Sequence, residues 1–197
     1  LAGVYNAAPV SFKRVVSESI ARGGALLIPA FSLERTQVIL SKLDDMFESK
    51  SIPSVPVYLD SPLAIHMTQI YERVLGHENF DFPQLKEIER VRDSQNIANV
   101  NGPKIILAGS GMSTAGRILY HEEKYLPDPK STILLAGYQA TGTLGRLIKE
   151  GNKKVVIDGK QVDVRARVEN IDGFSAHADS DALVNFAENS AKTLKKV

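Results

Sequence analysis

KIILAGSGMSTAGRILYHEEKY, residues 104–125, decides how this chain is read. Lys104 to Ala108 is a short run, apolar after its first residue and without alternation. That is the pattern of a strand buried on both faces. Gly109-Ser110-Gly111 breaks the run, and from about Ser113 to Tyr125 the spacing predicts a helix. Strand, glycine-rich turn and helix together make one unit of a parallel α/β sheet.

The same unit recurs on either side. Upstream, Ser11 to Arg22 carries Phe12, Val15, Val16 and Ile20 at helical spacing, and Gly23-Gly24 ends it. Ala25 to Pro29 reads as a buried strand. Ser32 is a candidate cap for a helix running to about Glu48, with Val38, Ile39, Leu43 and Phe47 inward. Val55 to Leu59 is another strand, and Pro62 suits the first turn of the helix after it. Residues 80–100 are polar and charged and read as a surface excursion with one helix. Downstream, Ser131 to Ala136 is a strand, followed by Gly137 to Thr143 and a short helix. Lys153 to Ile157 and Val162 to Val168 alternate and predict a hairpin closed at Asp158-Gly159. A last helix spans Ser180 to about Lys192. The fold class is therefore α/β: a mostly parallel sheet flanked by helices, with a C-terminal hairpin and helix.

Composition narrows the function. The 197 residues include 43% hydrophobic ones, enough for a soluble core, and the net charge is +1. There is no basic coat, so nucleic acid would need a local groove. Cysteine is absent, which excludes disulfides and thiolate metal sites and suits a reducing cytoplasm. No apolar run approaches the ~20 residues of a membrane span. LAGVYNAAPVSFKR is not a signal peptide, and the missing initial Met suggests a piece of a longer protein.

In a parallel sheet, ligands bind beyond the carboxyl ends of the strands. Four turns fall there: Pro29 to Ser32, Asp60-Ser61-Pro62, Gly109 to Ser113 and Gly137 to Thr143. Each leads into a helix, where free N–H groups and partial positive charge favour phosphate. Ser32, Ser61, Ser110, Ser113, Thr141 and Thr143 add hydroxyls. Gly111, Met112, Gln139 and Gly142 belong to the same turns. Arg35, Arg117 and Arg146 are predicted about one turn inside three of the helices, positioned for phosphate oxygens. Ordinary turn and capping chemistry would explain any one of these loops. No P-loop or dinucleotide fingerprint occurs.

The chain has four histidines. His66 and His121 fall within predicted helices and His77 in a turn, all suited to structural or solvated roles. His177, in Gly173-Phe174-Ser175-Ala176-His177-Ala178-Asp179, sits between small residues at the opening of a helix. Imidazole there can transfer a proton near neutral pH. Asp179 or Asp181 could orient it or simply cap the helix. No HxH, HExxH or His/Asp cluster is present, so these residues build no metal centre. Asp60 is the best lone carboxylate, or only a cap before Pro62.

RGGALLIPAFSLERTQ, VYLDSPLA, ILAGSGMSTAG, LLAGYQATGTLGR and GFSAHAD, in that order, resemble the β-CASP domain of metallo-β-lactamase-fold RNA nucleases. That family includes the mRNA 3′-end cleavage and polyadenylation nuclease and its bacterial and archaeal relatives. The resemblance covers about residues 12–190. It implies that residues 1–197 form a β-CASP domain, with about 169–197 leading back to a metallo-β-lactamase domain. It implies RNA clamped between the two lobes and two zinc ions, carried by the other lobe, activating water for phosphodiester hydrolysis. His177 matches the family's B-motif histidine, which acts beside the metals. Ser32 to Arg35, Ser110 to Met112 and Gln139 to Thr143 would face the RNA, and Arg146 is a candidate phosphate-binding residue with them.

The family's HxHxDH segment and its acidic A motif are absent, and the C-motif histidine would lie past Val197. The expectation is therefore a lobe that binds no zinc and has no hydrolytic activity alone, within a zinc-dependent ribonuclease. Three other readings stay open: a non-catalytic scaffold relative, a DNA-directed nuclease, and an unrelated phosphate-binding α/β enzyme. The sequence sets neither oligomeric state nor endo- versus 5′-exonuclease action.

Overall fold

The computed structural model describes residues 9–75, 80–171 and 180–190. In chain order the elements are α1 (Pro9–Arg22), β1 (Ala25–Pro29), α2 (Arg35–Glu48), β2 (Val57–Asp60), α3 (Pro62–Leu75) and β3 (Leu85–Glu87). There follow α4 (Val91–Asn96), β4 (Lys104–Ala108), α5 (Arg117–Tyr125), β5 (Thr132–Leu135) and α6 (Leu144–Lys149). The chain closes with β6 (Lys154–Ile157), β7 (Lys160–Asp163), β8 (Arg167–Asn170) and α7 (Ser180–Ser190).

Six strands form one sheet in the order β3-β2-β4-β1-β5-β8, and every neighbouring pair is parallel. β1, β2, β4 and β5 are buried throughout, as their unbroken apolar runs require. Side chains alternate across the sheet into two cores. Leu26, Ile28, Leu59 and Leu107 pack with Phe12, Val16, Ile39 and Ile65 of α1, α2 and α3. Leu27, Ile106, Ile133 and Leu135 pack with Tyr125, Ile148 and the hairpin residues Val155 and Ile157.

Four sequence expectations are corrected. Residues 80–100 are not a surface excursion: they contain β3, paired with β2, and bury Phe80, Phe82 and Ile97. β3 is a three-residue edge strand with two exposed residues, too short and too polar to show a buried-strand pattern. The second arm of the predicted hairpin splits. β7 pairs antiparallel with β6 around Asp158-Gly159, while Arg167–Asn170 joins β5 in the main sheet. Ser32 does not cap α2, whose cap position is Glu34 at φ 66° with no side-chain capping bond. α5 starts at Arg117 rather than near Ser113, because Ser113 and Gly116 hold positive φ (54° and 83°). At Gly116 a side chain is doubly excluded, since its Cβ would lie 2.7 Å from the Gly109 carbonyl oxygen.

Because all six strands are parallel, their carboxyl ends share one edge. From that edge β1 connects toward β2 through α2 on one face. β4 connects past β1 toward β5 through α5 on the other. Adjacent strands whose connections diverge to opposite faces leave a crevice between their loops.

Candidate functional site

The loops after β1, β2, β4 and β5 meet at that crevice. Ser32 Oγ and Ser61 Oγ lie 3.4 Å apart. Gly109 sits beside both, with its Cβ position 3.9 Å from the Ser32 hydroxyl and 3.7 Å from that of Ser61. Gly111 lies against the Phe31 ring, where a Cβ would come within 2.7 Å of Cδ2. Gln139 Nε2 donates to the Gly111 carbonyl at 3.0 Å, and Gly145 N–H donates to the Met112 carbonyl at 3.2 Å. Three predicted loops, those after β1, β4 and β5, are thus joined into one seam.

Within the seam, hydroxyls and backbone stay accessible while the long polar side chains turn inward. Thr141 and Gly142 are exposed; Ser32, Ser110, Met112 and Thr143 are half-buried. Ser110 Oγ lies 2.9 Å from Thr114 Oγ1 and accepts the Thr114 N–H. Thr143 Oγ1 caps α6 by accepting the Arg146 N–H at 3.2 Å. Next to the seam, an open cleft of about 330 Å³ lies between Ser113-Thr114, Gly142-Thr143 and the hairpin tip at Val156 to Asp158.

Two of the three arginines depart from expectation. Arg35 and Arg117 are the first residues of their helices, not one turn inside. Arg35 is 9% exposed and donates to the Ala136 carbonyl at 2.6 Å, tying the start of α2 to the end of β5. Arg117 donates to Asp60 Oδ1 at 2.6 Å and to the carbonyls of Ile88 and Glu89 past the end of β3. Arg146 is the most open of the three, its side chain 38% exposed against 17% for Arg117, and it is paired with Glu150 at 2.6 Å.

Asp60 is more than a cap before Pro62. It is fully buried and accepts from Arg117, from Ser94 and from His121 Nε2 at 2.6 Å. The cap is Ser61, whose Oγ accepts the Ala64 N–H at 3.3 Å. Burial alone would push the Asp60 carboxyl up; the bonds from His121, Ser94 and Arg117 outweigh it and hold the carboxyl below its usual range. His121 is fully buried, in keeping with a structural role, and His66 is exposed. One residue on, Glu122 is fully buried beneath the loop after β4 and accepts the Ser113 hydroxyl. Burial pushes its carboxyl up to about 8. The sequence marks Asp60 as a carboxylate of interest and His121 as structural, but does not show that they pair. Asp60 and His121 are 61 positions apart, and only the register of β2 beside β4 brings them together.

His177 and His77 lie outside the described residues, as do Asp179 and the rest of 172–179. β8 ends at Asn170 on the edge that carries the seam, and the chain passes from there into that motif. Among the described residues no group of three His, Cys, Asp or Glu side chains could hold a metal ion. None of the described helices is long and apolar enough to cross a membrane.

Comparison with known proteins gives two family matches. Residues 36–148 match the Beta-Casp domain, and residues 161–193 match the Zn-dependent metallo-hydrolase RNA specificity domain. Ribonuclease TTHA0252 of Thermus thermophilus is 33% identical over 93% of this chain and 45% of its own length. An RNase J-like protein of Methanocaldococcus jannaschii is 34% identical over 92% of this chain and 44% of its own. Transcription termination factor FttA of Thermococcus kodakarensis is 34% identical over 87% of this chain and 29% of its own. The chain therefore spans less than half the length of these curated relatives. The Beta-Casp match runs from the first turn of α2 into the last turn of α6, taking in the loops after β2, β4 and β5 and the buried floor but starting just after Phe31 to Arg35, and the chain belongs to the Beta-Casp domain family.

Proposed function

We propose that this chain is the RNA-binding lobe of a zinc-dependent ribonuclease that hydrolyses phosphodiester bonds in RNA processing or decay. The observation that carries the reading is the seam at the diverging strand ends. Ser32, Ser110, Gly111, Met112, Gln139, Thr141, Gly142 and Thr143 are gathered there, and hydroxyls and backbone N–H groups suit phosphate oxygens. The names ribonuclease and RNase J-like among the relatives support an RNA substrate. Arg35 and Gln139 serve by holding the loops in place, and Arg146 is the one arginine of the three placed to meet a phosphate directly.

This reading assigns its two zinc ions to a metallo-β-lactamase lobe joined to this one, and no zinc cluster is found among the described residues. The chemistry such ions supply is activation of water. This lobe's part is to bind and orient the RNA strand. Its proton-transfer group is His177, assigned to contact the scissile phosphate or to protonate the leaving oxygen. The domain reading is a Beta-Casp unit over residues 1–197 whose last stretch, from about 169, returns to the metal-bearing lobe. A cytoplasmic location goes with an RNA substrate and a cysteine-free chain.

The test is RNA cleavage by the longer protein with zinc, comparing wild type with His177→Ala. A loss of about 100-fold or more in rate, with unchanged RNA binding, is expected for a lost proton-transfer group. Equal rates would remove His177 from the chemistry. Absence of cleavage of any RNA by the wild type would overturn the ribonuclease reading.

A further inference from the structure

Phe31 and Tyr138 are large aromatic residues left open to solvent, 45% and 70% exposed. Among the other described rings, Phe12, Tyr58, Phe80, Phe82 and Tyr125 are buried, while Phe186 and Tyr120, on α7 and α5, are open away from this contact. The two open rings flank one contact. Phe31 lies on Gly111, and Gln139, the residue after Tyr138, holds the Gly111 carbonyl at 3.0 Å. Both backbones are fixed. The Phe31 carbonyl accepts from Thr36 N–H at 3.3 Å and from Thr36 Oγ1 at 2.8 Å. Gln139 is buried, so Tyr138 projects from an anchored neighbour.

Each ring also stands next to a group suited to phosphate. Ser32 follows Phe31, Ser110 precedes the Gly111 on which the ring rests, and exposed Thr141 follows Tyr138 by three positions. A single-stranded nucleic acid presents the same alternation, a flat base beside each phosphate. Bases of a duplex are stacked on one another and cannot meet such rings. A glycine at position 111 is required for the Phe31 ring to lie where it does, since any side chain would occupy that space.

We propose that Phe31 and Tyr138 are stacking platforms for the nucleobases of single-stranded RNA. This rests on the RNA-binding reading of the seam and adds to it the form of the strand taken. Stacking also tolerates every base, so these contacts give little sequence preference.

The test measures binding of the 197-residue chain to a short fluorescent oligoadenylate, to an abasic oligoribonucleotide of equal length, and to a duplex containing the oligoadenylate. The expected order is oligoadenylate tightest, with the abasic strand and the duplex weaker by about tenfold or more. Tyr138→Ala and Phe31→Ala each weaken oligoadenylate binding by about 5-fold to 100-fold and leave abasic binding unchanged. Tyr138→Trp and Phe31→Tyr retain wild-type affinity, which separates lost stacking from lost folding. Equal binding of oligoadenylate and abasic strand by the wild type overturns the stacking proposal and leaves the phosphate-binding reading standing. Binding of none of the three at low salt overturns both.

Discussion

Two regions of the strand-end edge, a few residues apart in the sheet, are built from different chemistry. On the β2–β3 side, the Asp60 carboxylate and the His121 imidazole are buried together, with the half-buried Arg117 guanidinium beside them. Around β1, β4 and β5, the groups are hydroxyls, backbone amides, glycines and two open rings. The charged side knits four elements: the ends of β2 and β3, Ser94 of α4, and α5. The neutral side keeps donors available and relies on the charged side for a floor. A polyanion therefore meets a surface with little net charge, and affinity must come from geometry, stacking and the opposing lobe.

The contrast breaks hardest at Asp60. Asp60→Ala leaves Arg117 and His121 buried without their partner, and a loss of about 3–5 kcal/mol is expected in urea unfolding. Lowering the pH acts on the same group. A carboxyl held low in the folded state contributes stability above its unfolded value and loses it as pH falls through the folded one. Acid unfolding of wild type should therefore be steeper than that of Asp60→Asn.

Glu122 has the opposite sign. Its carboxyl is raised from 4.5 to about 8 by burial, so the folded state holds a proton the unfolded chain has lost. Its contribution is full below about 4.5 and declines as pH rises toward 8. Glu122→Gln should flatten that decline, gaining roughly 3 kcal/mol relative to wild type near neutral pH. A parallel pH dependence in both proteins would contradict it.

Substitutions on the neutral side sharpen the comparison from the other direction. At Gly145 an added Cβ would lie 1.9 Å from Gln139 Oε1 and 3.1 Å from the Met112 carbonyl. Gly145→Ala should cost about 1–3 kcal/mol and weaken RNA binding, because Gln139 must release Gly111. The smallest expected effect is at Thr143, whose hydroxyl caps α6. Thr143→Ala should cost about 1 kcal/mol in thermal or urea unfolding.

What the sequence revealed follows the same division. β1, β4 and β5 are legible because continuous burial leaves an unbroken apolar run, and glycines mark the start of β1 and the ends of β4 and β5. β3 is not, since an edge strand of three residues paired on one side carries no such pattern. The start of α5 was read too early because Ser113 and Gly116 take backbone angles set by the loop's contact with Gly109, not by local propensity. The seam residues were visible as a class, since small residues recur after each strand. The inward turn of Arg35, Arg117 and Gln139 was hidden, because their partners, Ala136, Asp60 and Gly111, stand far away in the chain.

The central claim is that RNA meets this lobe along the seam at the strand carboxyl ends. The direct measurement is photo-crosslinking of a short RNA containing 4-thiouridine to the 197-residue chain, with the modified residues identified by mass spectrometry. Crosslinks within residues 31–35, 109–115 and 137–146 are the predicted result. Crosslinks concentrated at the opposite end of the sheet, around Phe47 and Phe82, would contradict it.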